Sequence, residues 1–286
     1  MAPALVLLVV FLFVPICYTV WLSMRASRVT GSGLGLRKES YVWFDNYVGT
    51  VTDSAYAHSV VRMLGYGSVV VPTMLGSALL FALLLDSPRL KFSSFSRLSI
   101  FLPYAVPGVI ASLLWGFLYL PGVSPIRDAF AKVGLPTPTF LSPDHVLFSV
   151  ANIGVWGGVG FNMIVLYTAL RGLPEELNDA ARIDGASELQ IALRIKIPLI
   201  APALIMTGIF SLISTLQVFS EPSTLRPLTD SISLTWVPLM TIYRDAFINN
   251  DIYTAAAASV LLALGTLVIS FSVLSFLQKR AFGEDR

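Results

Sequence analysis

Very few side chains in this sequence are of the kinds that make and break bonds, and those few stand apart. His58 and His145 fall in different polar connections and read as solvated loop residues rather than ligands. Cys17 is the one cysteine and sits in an apolar run, which excludes an internal disulfide and a thiolate metal cluster. No G-x-x-x-x-G-K-[S/T] phosphate loop and no nucleophile elbow occurs. The sequence offers binding chemistry instead, set inside apolar runs. Ser211, Ser214 and Gln217 are followed by Glu221, and Ser214 and Gln217, three apart, share one helical face beside Phe210 and Ile213. Upstream, Gly154, Gly157, Gly158 and Gly160 remove side chains along a short stretch where Trp156 and Phe161 supply flat rings and Asn162 an amide. Amides pair with hydroxyls and aromatic rings cover C–H faces, so the mixture suits a polyhydroxylated solute such as a sugar. The same glycines equally serve close packing between membrane helices.

Such residues must be held by elements that the composition makes plain. Apolar residues form 55% of the chain and charged ones 13%, with a mean hydropathy of +0.76. A soluble domain carries roughly 25% charge, so this is a membrane protein. Its net charge of +2 argues for neither nucleic acid nor an acidic partner. A bilayer core of about 30 Å needs roughly 20 apolar helical residues. Six stretches qualify, at about 2–24, 60–85, 98–120, 146–170, 203–220 and 253–277. They are apolar nearly all round, which predicts helices rather than barrel strands. Pro103 and Pro107 predict a bend in the third span, either a gate hinge or static packing.

With both termini inside, the inner connections carry Arg89, Lys91, Arg97, Arg171, Arg182, Arg194, Lys196, Lys279, Arg280 and Arg286 in about 53 residues. The outer connections hold eight Lys and Arg in about 92 residues, so the bias places residues 171–202 on the cytoplasmic side. The first run lacks the basic flank and cleavage site of a signal peptide and reads as a retained helix. That missing flank leaves open a start upstream of Met1.

Within 171–202 the segment EELNDAARIDGASELQIALRIKIP runs from Glu175 to Pro198. It reads as two short helices. Pro174 suits a first helical position, and Glu175 and Glu176 meet the positive end of the helix dipole. Gly185 permits a turn, Ser187 suits the cap of the second helix, and Pro198 marks entry into the fifth span. Leu189, Leu193 and Ile197 recur every four residues, with Ile191 and Ile195 nearby and Arg194 and Lys196 alongside. Such a ridge could rest on lipid headgroups or dock on a protein.

The order Asp179-Ala180-Ala181, three residues, Gly185, nine residues, Ile195, one residue, Ile197-Pro198 closely resembles the EAA loop of bacterial ABC importer permeases, E-A-A-x3-G-x9-I-x-L-P. Asp179 stands for Glu and Ile197 for Leu, and every spacing is kept. This match, with the turn Asp184-Gly185-Ala186, favours docking on a protein. Further likeness runs through the chain. Phe44-Asp45-Asn46-Tyr47 is similar to a shortened F-x-G-L-D-N-Y signature, Leu102 to Pro107 to an L-P-x-A-x-P stretch, and Trp156, Gly158 and Gly160 to a W-x-x-x-G region. Together these resemble the MalF/UgpA-like carbohydrate-uptake permeases. The family's T-x-G-G-P stretch is replaced by residues 221–227.

The resemblance implies an all-α polytopic membrane protein with six transmembrane helices, of the MetI/MalF-like type I ABC importer permease fold, as one domain over 1–286. It implies a non-enzymatic permease that binds no cofactor, with ATP and Mg on a partner ATPase. The implied partners are a second homologous permease, two ATP-binding subunits, an extracytoplasmic solute-binding protein, a sugar and membrane lipid, with no nucleic acid. Glu175, Asp179, Ala180, Ala181, Asp184, Gly185, Ala186, Ile195 and Pro198 would couple to the ATPase. Trp156, Gly158, Phe161, Phe210, Ser214 and Gln217 would line the substrate pathway. The implied location is the plasma or inner membrane, with both termini cytoplasmic. Glycerol phosphodiesters or polyols are the alternative solutes, with Arg62 the one cation available for a phosphate. An ion-coupled transporter or a membrane enzyme would need buried carboxylates, histidines or metal ligands that the spans lack.

Overall fold

The computed structural model describes residues 2–29, 37–87 and 93–282. Arg89, Lys91 and Arg286, three of the inner charges, lie outside them. Among the described residues five helices are long and apolar enough to cross a membrane: Pro3–Ser23, Ser54–Leu85, Val146–Arg171, Ala201–Leu228 and Ile252–Lys279. A sixth span is broken. Ser93–Ala105 and Gly108–Tyr119 meet at 97°. The residue before a proline is driven out of the helical region, and Val106, ahead of Pro107, has ψ 124°. The expected bend is therefore a full corner, not a kink in one continuous helix over 98–120.

The second span starts earlier than hydropathy alone predicts, because Asp53 Oδ1 accepts the Ala55 N–H at 2.9 Å and starts the helix there. His58 consequently lies on the helix rather than in a loop, its Nδ1 2.6 Å from Ser54 O. His145 immediately precedes the fourth span, its Nδ1 2.9 Å from Ser142 Oγ. The fifth span is interrupted: Ala201–Leu216 ends at Gln217, and a short helix, Ser220–Leu225, follows Phe219.

Two compact units are distinguished, Met1–Leu64 with Ile232–Val268 and Gly65–Ser231 with Ile269–Arg286. In the first, antiparallel strands Arg25–Val29 and Arg37–Tyr41 pair with Arg25 opposite Tyr41. Asn46 Nδ2 donates to the carbonyls of Ser23 (2.8 Å) and Arg25 (2.7 Å), while Tyr47 OH bonds Ser23 Oγ. The Asp45-Asn46-Tyr47 segment thus ties down the end of the first span, satisfying carbonyls that a helix terminus leaves open. Arg62 donates to Trp236 O at 2.8 Å and lies 5.8 Å from that ring's centroid.

In the second unit the fourth span is the central element, with Val150, Met163 and Leu166 fully buried. Gly160 allows the closest approach: a side chain there would meet the Ile100 carbonyl and the Phe101 Cα, which are backbone and cannot yield. Gly116 likewise receives Leu225 and Leu228. Asn162 donates to Gly158 O (2.9 Å) and its Oδ1 accepts from Ser211 Oγ (3.0 Å), joining the fourth span to the fifth.

Candidate functional site: a pathway cavity and a docking loop

The break in the fifth span creates the first candidate site. A cavity of about 360 Å³ opens there, within the range of small-molecule sites. Ser214, in the last turn before the break, and Gln217, at its cap, both line it. Tyr66, Tyr104 and Glu221 add two phenols and a carboxylate, and the corner of the third span contributes Pro103, Val106 and Gly108.

The pathway residues named from the sequence divide. Gly158, Ser214 and Gln217 come together in this cavity. Phe161 stacks on Tyr104 with centroids 5.1 Å apart, so it stands behind a lining ring. Trp156 lines a different recess, with Ser77, Phe81 and Asn152, and meets Trp115 edge-on. Phe210 is exposed and lines neither. Asn162 and Ser211 are spent on each other in the helix interface. The glycines divide too. A side chain at Gly154 would strike Tyr66 OH and one at Gly158 would strike Met74 Sδ, whereas Gly157 faces open space. Sequence reasoning missed Tyr66 and Tyr104; their phenols inside apolar runs were the available signal, since a buried hydroxyl needs a polar neighbour.

The second candidate site is the polar loop. Its first helix is Glu175–Ile183, with Pro174 as the cap rather than the first helical residue. Gly185 has φ +82°, and the N–H groups of Gly185 and Ala186 reach Arg182 O (3.0 Å) and Ala181 O (2.9 Å). That is the Schellman arrangement, which favours glycine at this position. Ser187 and Gln190 then form a reciprocal capping box for Glu188–Ile191. Arg182 bridges the turn, with Nε 3.0 Å from Glu188 Oε1 and Nη1 3.0 Å from Asp179 Oδ1. The Glu188 hydrogen bond and charge, then those of Asp179, hold its guanidinium above the ordinary arginine range.

A π-helical turn at Ala192–Lys196 changes the expected ridge. The extra residue rotates the downstream part of the helix, so Ile191 and Ile200 are buried while Leu189 and Leu193 are exposed. Helical residues run on through Pro198 to Leu199, so Pro198 sits inside a helical turn and the fifth span proper begins at Ala201. Glu175, Asp179, Ala180, Asp184, Gly185 and Pro198 are exposed, Ala186 and Ile195 half-buried, and Ala181 packs inward. Leu177, Ile183, Leu189 and Leu193 add exposed apolar side chains, Ile183 at 86%. Beside them a polar cavity of about 330 Å³ holds Asp86, Arg171, Glu175, Asp179, Arg182 and Lys196.

A family model described as "Binding-protein-dependent transport system inner membrane component" matches residues 78–282, which include both sites. The chain belongs to this family. It is 30% identical over 279 residues to the sn-glycerol-3-phosphate transport system permease protein UgpA of Escherichia coli O157:H7, covering 96% of this chain and 90% of that one. The Shigella flexneri protein of the same name is 29% identical over the same length. Among solved structures, the fold is similar to a chain of a bacterial alginate ABC transporter in complex with an alginate pentasaccharide-bound periplasmic protein, at TM-score 0.81 and 20% identity, covering 99% and 93% of the two chains. A methionine ABC transporter chain gives TM-score 0.55 at 16% identity.

As a member, this permease is an inner-membrane subunit with several membrane-spanning helices, and the transport it serves depends on a binding protein. It is an all-α transporter component of the MetI/MalF-like class and not an enzyme, ATP hydrolysis belonging to a separate subunit. The ion-coupled alternative is set aside by the same match.

Proposed function

We propose that this permease carries a neutral or amino sugar, or a short oligosaccharide, through a pathway it shares with a second homologous permease. The cavity at the fifth-span break supports this reading most directly. It presents the Gln217 amide, the Ser214 and Tyr66 hydroxyls and the Tyr104 ring, and among the described residues no Lys or Arg lines it. Amide, hydroxyl and ring are the groups that grip a sugar, while a phosphate would call for a guanidinium or ammonium. Arg62, the one cation open to that role from the sequence, is engaged with Trp236.

The remaining assignments form one scheme. Residues 1–286 act as a single transmembrane permease domain with both termini in the cytoplasm. Residues 171–202 are the cytoplasmic coupling loop, docking Asp179, Ala180, Gly185 and the exposed Leu189 and Leu193 on one of two ATPase subunits that hold ATP and Mg. Closure of the ATPases would turn the cavity toward a loaded solute-binding protein outside. Relatives named for glycerol-3-phosphate favour a second reading, a glycerol phosphate, phosphodiester or polyol importer.

The deciding experiment uses the complete importer in liposomes with its binding protein. ATPase rate and labelled uptake are recorded for neutral sugars, amino sugars and glycerol phosphodiesters, in wild type and Gln217→Ala. Sugar-stimulated hydrolysis with uptake weakened by the substitution is the expected result. Stimulation by a phosphodiester alone would establish the second reading. Unaltered sugar uptake in the variant would move the solute site away from Gln217.

A further inference from the structure

Glu221 is the one ionisable carboxylate among the residues lining the 360 Å³ cavity. It stands in the first turn of Ser220–Leu225, after the break that ends the longer helix at Gln217. Its side chain shares the lining with Tyr66, Ser214 and Gln217. A carboxylate inside a membrane-spanning segment is costly, and such groups persist where a cation, a polar cavity or an occupant meets them.

Among the described residues no Lys or Arg lies within ion-pair distance of Glu221. The rest of the polar lining is neutral, made of hydroxyls, phenols and one amide. The fixed charge that this chain gives the cavity is therefore a single negative one, set among groups that bond to hydroxyls.

We propose that Glu221 is a charge-selecting residue of the pathway, admitting neutral sugars, favouring those that carry an ammonium and turning away those that carry a carboxylate or phosphate. The inference rests on the reading of this cavity as a sugar pathway. Its physical basis is the weak screening of charge where water is scarce. An anionic sugar would face a like charge with no lining cation to offset it. An amino sugar would form a charge-assisted hydrogen bond, and a neutral hydroxyl can donate to the same oxygens. Glutamine keeps the shape and the hydrogen bonding while removing the charge, so it isolates the electrostatic part.

The test compares three labelled disaccharides of one carbon frame: cellobiose, its glucosamine analogue and its uronate. The complete importer takes them up in liposomes with one binding protein throughout, so a change between variants belongs to the permease. Wild type is expected to carry the neutral and amino forms and to carry the uronate at least about tenfold more slowly. In Glu221→Gln the amino-to-uronate ratio falls about tenfold, equivalent to about 1.4 kcal/mol. Glu221→Asp, which keeps the charge, retains most of the ratio. If Glu221→Gln does not assemble, Gln217→Lys, which adds a cation to the same lining, must lower that ratio. Uronate uptake as fast as cellobiose uptake in wild type would overturn the proposal. So would an unchanged ratio in Glu221→Gln, with the sugar reading left standing. Uptake of none of the three would remove the sugar reading and this inference with it.

Discussion

Lys196 Nζ lies 2.5 Å from Asp86 Oδ2, joining the helical end of the polar loop to the end of the second span. Both side chains are largely buried, and Arg171, at the end of the fourth span, approaches the other carboxylate oxygen to 3.9 Å. Removing one member of a buried pair strands the other charge at a cost of about 3–5 kcal/mol, whereas replacing both is far milder. Lys196→Met or Asp86→Leu should therefore lower the melting temperature of the purified importer sharply, and the double variant should recover most of the loss. Equal losses in the single and double variants would mean that the two residues are not energetically linked.

Gly185 makes the loop's turn at φ +82°. Alanine there should cost about 1–2 kcal/mol of backbone strain. Proline, fixed near φ −65°, cannot occupy the position at all. Gly185→Pro is expected to leave the ATPase poorly assembled, or hydrolysing without uptake. Wild-type transport in that variant would remove the coupling assignment from this loop.

Gly160 and Gly157 stand on the same helix with opposite surroundings. Gly160→Ala forces a methyl group against backbone and should destabilise by about 1–3 kcal/mol. Gly157→Ala meets nothing within 4 Å, so stability should hold within about 0.5 kcal/mol while uptake falls. Melting curves and uptake assays on the two variants separate the packing role from the pathway role.

Asn46 serves two carbonyls with one amide nitrogen. Asn46→Ala leaves both unmet, and Asn46→Asp adds a negative charge beside them. Losses of about 1–3 kcal/mol are expected, larger for aspartate, read as reduced resistance to thermal unfolding.

Much of this architecture was legible because lipid imposes a simple code. A run of apolar residues must be a helix of bilayer length, and the fourth and sixth spans fall within a few residues of their hydropathy bounds. The coupling loop was equally open to reading, since Gly185 and Ser187 are residues that helix ends require for local, backbone reasons. The features that stayed hidden depend on neighbours far along the chain. The four-residue ridge of Leu189, Leu193 and Ile197 assumed an unbroken α-helix, and the π turn at Ala192–Lys196 rotated it away. Trp156 and Phe210 were grouped with Ser214 by residue type, but which face each presents depends on how the fourth and fifth spans are turned against their neighbours. Asn162 has the chemistry of a solute ligand and a partner, Ser211, 49 positions away.

The corner at Val106–Pro107 has a consequence for how selectivity can drift between relatives. Where Ser93–Ala105 stops and Gly108–Tyr119 begins, peptide carbonyls and N–H groups lose their intrahelical partners, and lipid cannot supply new ones. Pro103, Val106 and Gly108 carry that interrupted main chain to the wall of the cavity. Part of the grip on a hydroxylated guest is thus available from peptide groups, which every amino acid possesses. Side chains such as Gln217 and Glu221 are then free to diverge and retune which guest is preferred, while the underlying hold survives in the covalent backbone itself.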